Sequence, residues 1–146
     1  MIYSNLFFTC SVIELIGRQR KLARSDVVNS MGKSNIERLY NYADVFHCEP
    51  IAKVADDFIT DCKIPVGDFD NVALCRYDLP SYYDIGEVYA RLIEDVHTDS
   101  ESVTDTLIKV FNSFLCQAIS NFNSDLFYQP RQYLRECYFE DDILAY

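Results

Sequence analysis

The chain has 146 residues, of which 49% are hydrophobic and 25% charged, with four Gly, four Pro and 21 Phe or Tyr. That composition excludes a disordered or low-complexity chain, and the length suits one domain that buries roughly 70% of its unfolded surface. With 23 acidic against 13 basic residues the formal net charge is −10, which opposes a general nucleic-acid binder at long range.

The first element, "MIYSNLFFTCSVIELIG", is apolar on nearly every side. It lacks the basic n-region and cleavage site of a signal peptide, and Glu14 interrupts it, so it reads as a buried N-terminal core helix. Next comes "RSDVVNSMGKSNIERLYNYADVFHCEP", residues 24–50. It predicts a short helix over 26–31, a left-handed turn at Gly32, and a second helix capped by Ser34 with Glu37 three residues on. A corner of this kind has the outline of a DNA-reading helix-turn-helix, with Arg24, Lys33, Asn35 and Arg38 as its phosphate- and base-facing candidates. Residues 1–40 hold six basic and three acidic side chains; the remainder holds seven and 20.

Ile51, Val54, Ala55, Phe58 and Ile59 predict a helix that begins at Pro50. Residues 63–83 then lack a helical stripe and read as one long connection, with "VALCRY" as a possible short strand. A third stripe from Ile85 to Val96 predicts a helix capped at Asp84, with Glu87 completing the box. The longest stripe, Val103 to Phe122, predicts a single long helix, and Pro130 opens a short C-terminal one. Together these elements predict an all-α fold: a single compact helical domain, residues 1–146, of six or seven helices around the N-terminal helix, with no sheet.

Catalytic patterns are missing. The sequence has no Gly-rich phosphate loop, nucleophile elbow, H-E-x-x-H or calcium loop. The six cysteines form no C-x-x-C, and neither histidine stands at zinc-finger spacing, so no metal or cofactor is expected and the cysteines read as reduced cytoplasmic thiols. His47 and His97 fall near helix ends, where an imidazole can bond a terminal carbonyl. A Cys48–His47 nucleophile pair is disfavoured because neighbours on a helix point apart. No membrane span is expected.

Aromatic residues offer the stronger signal. The long connection concentrates Phe69, Arg76, Tyr77, Tyr82 and Tyr83 among Asp68, Asp70 and Asp78, and "NFNSDLFYQPRQY" interleaves Asn with aromatics in the same manner. Tyr, Phe and Arg are the residues that anchor protein interfaces, and these five are the candidate partner-binding residues.

Two stretches, "FFTCSVIELIGRQRKLARSDVVNSMGKSNIERLYNYADVFHCEPI" and "YDIGEVYARLIED…FNSFLCQAISNFNSDLFYQP…YLRECY", resemble a family of small all-helical bacterial proteins encoded beside putative ADP-ribosyltransferase-like toxins. The resemblance implies an antitoxin-like role: binding and masking a partner protein such as a toxin of that class. It supplies no functional residues. The expected function is therefore a non-enzymatic protein-binding module, with a helix-turn-helix DNA-binding regulator as the alternative.

Overall fold

The computed structural model describes residues 1–145. Its elements in chain order are α1 (Tyr3–Arg20), α2 (Arg24–Asn41), α3 (Ala43–Phe46), α4 (Ile51–Asp61), α5 (Tyr82–Val96), α6 (Val103–Phe111), α7 (Phe114–Ser120), a 3-10 turn (Leu126–Tyr128) and α8 (Arg131–Glu140). Among the described residues there is no strand, and "VALCRY" begins in a turn and continues as irregular chain with a bend at Tyr77.

Helix α1 occupies the centre, packed against α5, α2, α4 and α3. Leu6, Cys10, Val12, Ile13 and Ile16 are all fully buried, as expected of a helix with apolar residues on every side. Its closest neighbour is α5, and Gly86 sets that distance: a Cβ there would lie 2.3 Å from Ser11 Oγ and 2.9 Å from the Ser11 backbone. The buried Ser11 and Thr9 hydroxyls donate to the carbonyls of Phe7 and Asn5, each at 2.8 Å. Among the described residues, the buried side-chain polar atom left without a hydrogen-bond partner is Arg20 Nε, at the end of α1.

Three local expectations are corrected. The cap of α5 is Ser81, whose Oγ accepts from the Asp84 amide while Asp84 accepts from the Ser81 amide, both at 3.0 Å. Asp84 is thus the third-position partner of the box and not its start. Ser34 makes no capping hydrogen bond, although the break expected at Gly32 is present: its backbone (φ 79°, ψ 163°) is non-helical, and α2 is two helical segments that meet there at a kink. The long stripe from Val103 to Phe122 is two helices, because Asn112 and Ser113 leave helical geometry and Asn112 turns its amide back to the Ile108 carbonyl at 2.8 Å. With the short α3, this raises the expected six or seven helices to eight among the described residues.

The buried charge is the main departure from an ordinary helical core. Glu14 (1% exposed) accepts from Arg24 through both carboxylate oxygens, at 2.8 Å each, and from Arg18 Nε at 2.7 Å. Arg24 is fully buried and also donates to the Leu22 carbonyl at 2.7 Å and Asn71 Oδ1 at 3.0 Å. Burial works against its charge, but the hydrogen bonds and charge of Glu14 outweigh that and hold the guanidinium above the ordinary arginine pKa. Room for it comes from Gly17, where a Cβ would lie 2.3 Å from Arg24 Cδ.

A pair sealed this well leaves an uncompensated charge when one member is removed, so Glu14→Ala is expected to cost about 3–5 kcal/mol in urea unfolding. Phe111→Ala is expected to cost a similar ~3–5 kcal/mol, since its ring is fully buried and stacked on Tyr89 at 4.2 Å. Near-wild-type midpoints in both variants would contradict this core.

Candidate functional site

The connection over residues 62–81 is long but closely tied down. The Gly67 and Phe69 amides donate to the Arg20 and Lys21 carbonyls, both at 2.8 Å. Asn71 is buried and links Arg24 to the Ser120 carbonyl, to which its Nδ2 donates at 3.0 Å. Further on, Asn123 accepts from the Arg76 amide at 2.8 Å and donates to the Leu74 carbonyl at 3.0 Å. At the far end Arg18 Nη2 donates to the Pro80 carbonyl at 2.8 Å.

These ties bring the two aromatic stretches of the sequence together. Residues 77–80 form one wall of a surface groove, the exposed side of α5 forms another, and residues 122–134 close it. One chamber, about 520 Å³, is lined by Leu79, Val88, Leu92, Phe127 and Leu134 along its apolar side. A second, about 700 Å³, lies between Tyr77 and residues 122–125. They meet at Asp78, Phe127 and Tyr128, which line both.

The 3-10 turn sets the aromatic ridge. Phe127 packs edge-on against Phe122 at 6.0 Å and against Tyr128 at 4.9 Å, while Tyr128 projects outward and is 68% exposed. Tyr77 opposite is equally exposed. Beneath them Arg18 lies 5.2 Å from the centre of the Phe122 ring, so the buried charge network reaches the groove floor.

The five expected partner residues do not form one patch. Tyr77 lines the groove, and Arg76 is an exposed neighbour whose amide is held by Asn123. Tyr83 turns to the opening turns of α1, where it stacks on Phe7 at 6.2 Å and lines a separate cleft of about 490 Å³ with Tyr3, Phe8 and His47, and Tyr82 packs on Tyr83 at 4.5 Å. Phe69 lines a third hollow beneath the α1–α2 corner. Sequence reasoning did not assign Leu79, Phe127 and Tyr128 to the site, although the last two stand inside the second aromatic stretch it singled out.

The basic corner is occupied internally. Arg24 is buried and has no surface to offer a phosphate. Lys33 pairs with Asp105 at 2.9 Å and Glu37 at 4.0 Å, Asn35 donates to the Met31 carbonyl at 2.8 Å, and Arg38 pairs with Asp61 at 3.6 Å while lying 4.5 Å from the Phe58 ring. Five of the six basic residues among the first 40 meet a carboxylate, three of them (Lys21, Lys33, Arg38) one beyond residue 40. The basic excess of the first 40 residues is therefore met by carboxylates of the remainder, and the acidic excess of the remainder stays.

Among the described residues, neither histidine ring bonds a helix-terminal carbonyl. His97 Nδ1 lies 2.9 Å from Thr106 Oγ1, and His47 meets the Phe8 ring edge-on at 5.7 Å. All six cysteines are free thiols, with Cys10, Cys116 and Cys137 buried; desolvation raises the pKa of Cys10 and Cys116. Among the described residues no group of three or more His, Cys, Asp or Glu could hold a metal ion, and no helix is long and apolar enough to cross a membrane.

Compared with protein-family models, curated proteins and solved structures, the chain shows no significant match.

Asn123 is the clamp that sets the groove wall. Asn123→Ala removes both of its bonds to the loop, so hydrogen exchange at the Arg76 amide is expected to accelerate at least about tenfold, with a stability loss of roughly 1–2 kcal/mol. Unchanged exchange at Arg76 would show that the wall is held by other means.

Proposed function

We propose that this protein is a non-enzymatic protein-binding module that holds a partner protein across the groove between residues 77–80, α5 and residues 122–134. One observation supports this above the others: two aromatic stretches, far apart in sequence, converge there and leave Tyr77 and Tyr128 exposed along the groove, with the apolar side of the first chamber next to Tyr128. Exposed aromatic anchors beside a concave apolar surface are the usual centre of an interface. The engaged state of Lys33 and Arg38 and the burial of Arg24 weigh against the DNA-binding alternative.

The finer reading is an antitoxin-like regulator in the bacterial cytoplasm, masking a toxin of the ADP-ribosyltransferase-like class. It draws on the family resemblance of the two long stretches. A groove on an acidic protein suits a cationic cleft on such a partner.

Co-expression with the product of the neighbouring gene tests both levels. The two chains are expected to co-purify, and the Tyr77→Ala/Tyr128→Ala double variant is expected to weaken the complex at least about tenfold, or ~1.4 kcal/mol. Lys33→Ala/Arg38→Ala should leave it unchanged. A complex that depends on Lys33 and Arg38 instead, or salt-sensitive duplex binding by the isolated protein, would sink the proposal in favour of the corner at residues 24–38.

A further inference from the structure

The junction of the two chambers has a chemistry that narrows the partner, given that the groove is the partner site. Asp78 lines both chambers there, next in sequence to Tyr77 and together with Tyr128. Among the described residues no hydrogen bond or ion pair engages its carboxylate.

The other charged groups along the first chamber are already matched. Glu87 pairs with Arg91 at 3.1 Å, Arg131 bridges Glu94 at 2.9 Å and Asp95 at 2.7 Å, and Asp84 caps α5. Asp125 lines the second chamber as well, and Asp78 is the carboxylate that lines both, on a chain whose net charge is −10.

Two exposed tyrosine rings beside an uncommitted carboxylate favour one kind of guest. The ring faces carry negative potential and attract a cation, while a carboxylate accepts two parallel bonds from a planar guanidinium. Arginine satisfies both at once; lysine satisfies them only as a point charge. Next to the junction, Leu79, Val88 and Leu92 form an apolar strip, within a chamber also lined by charged groups, for a neighbouring side chain.

We propose that the groove takes a segment of the partner protein that sets an arginine against Asp78, between Tyr77 and Tyr128, with an adjacent leucine-like side chain in the Leu79–Val88–Leu92 chamber. The segment is recognised through one charge and one apolar anchor. Its approach is steered by the acidic surface and weakens as salt rises.

Fluorescence anisotropy with short labelled synthetic peptides tests this on the intact protein. One peptide carries arginine flanked by leucines; a second replaces the arginine with glutamate; a third replaces the leucines with serines. The first is expected to bind at least about tenfold more tightly than either other, the equivalent of ~1.4 kcal/mol. Asp78→Asn is expected to abolish the preference for arginine over glutamate. Asp99→Asn, which removes the same charge from an exposed turn away from the groove, should preserve it, with circular dichroism confirming that both variants are folded.

Equal binding of the arginine and glutamate peptides overturns the proposal. So does equal weakening by Asp78→Asn and Asp99→Asn, which would mean diffuse attraction only, and so does an arginine peptide that does not bind. In each of these cases the wider reading of the groove stands if the co-purified complex still depends on Tyr77 and Tyr128. Loss of that dependence removes both.

Discussion

Glu14 is the constraint around which the molecule is arranged. A carboxylate in the middle of the central helix is costly to bury unless its oxygens are met by fixed donors, and here two arginines meet them. Each arginine then has further obligations. Arg24 fixes the turn between α1 and α2 through the Leu22 carbonyl and draws in Asn71 from the long connection. Arg18 reaches the other end of that connection at Pro80. A single buried acid thus locates the start of α2, the course of residues 62–81 and, through Asn71 and Ser120, the end of α7.

The groove is downstream of that arrangement. Its 77–80 wall stands where it does because Pro80 is tied to Arg18 and Leu74 and Arg76 are tied to Asn123. The opposite wall follows from Pro130, which opens α8, and from the 3-10 turn that directs Phe127 inward and Tyr128 outward. Rigid support of this kind lowers the entropy lost when a guest docks, so exposed tyrosines on a clamped loop make better anchors than the same residues on a free one.

Charge has two roles in this fold. Within the molecule, basic groups of the N-terminal third are set against acidic groups of the remainder, as in Lys33 with Asp105 and Arg38 with Asp61. Outward, the acidic excess remains, and at Asp78 it coincides with exposed aromatic surface. Pairs at the surface contribute little each. Their consequence is mainly to leave the α2 corner without a free basic face.

Local and periodic features were legible in the sequence: the all-α class, the central N-terminal helix, the stripes of α4 and α5, and the bend at Gly32 follow from side-chain period and backbone preference, which act within a few residues. Boundaries set by competing local bonds were less so, as with Ser81 capping α5 in place of Asp84, and Asn112 splitting the long stripe. Composition alone singled out both aromatic stretches, but not that they meet, because that depends on Asn123 and Arg18 bonding across 47 and 62 residues. Arg24 is the clearest case of what only the tertiary structure decided. In sequence it is one more basic residue at a helical corner; in the fold Gly17 leaves it space and Glu14 gives it a partner, and both lie on a different helix. Pairing between distant side chains has no period and no local propensity, so the sequence marked the candidates and the packing of α1 against its neighbours chose among them.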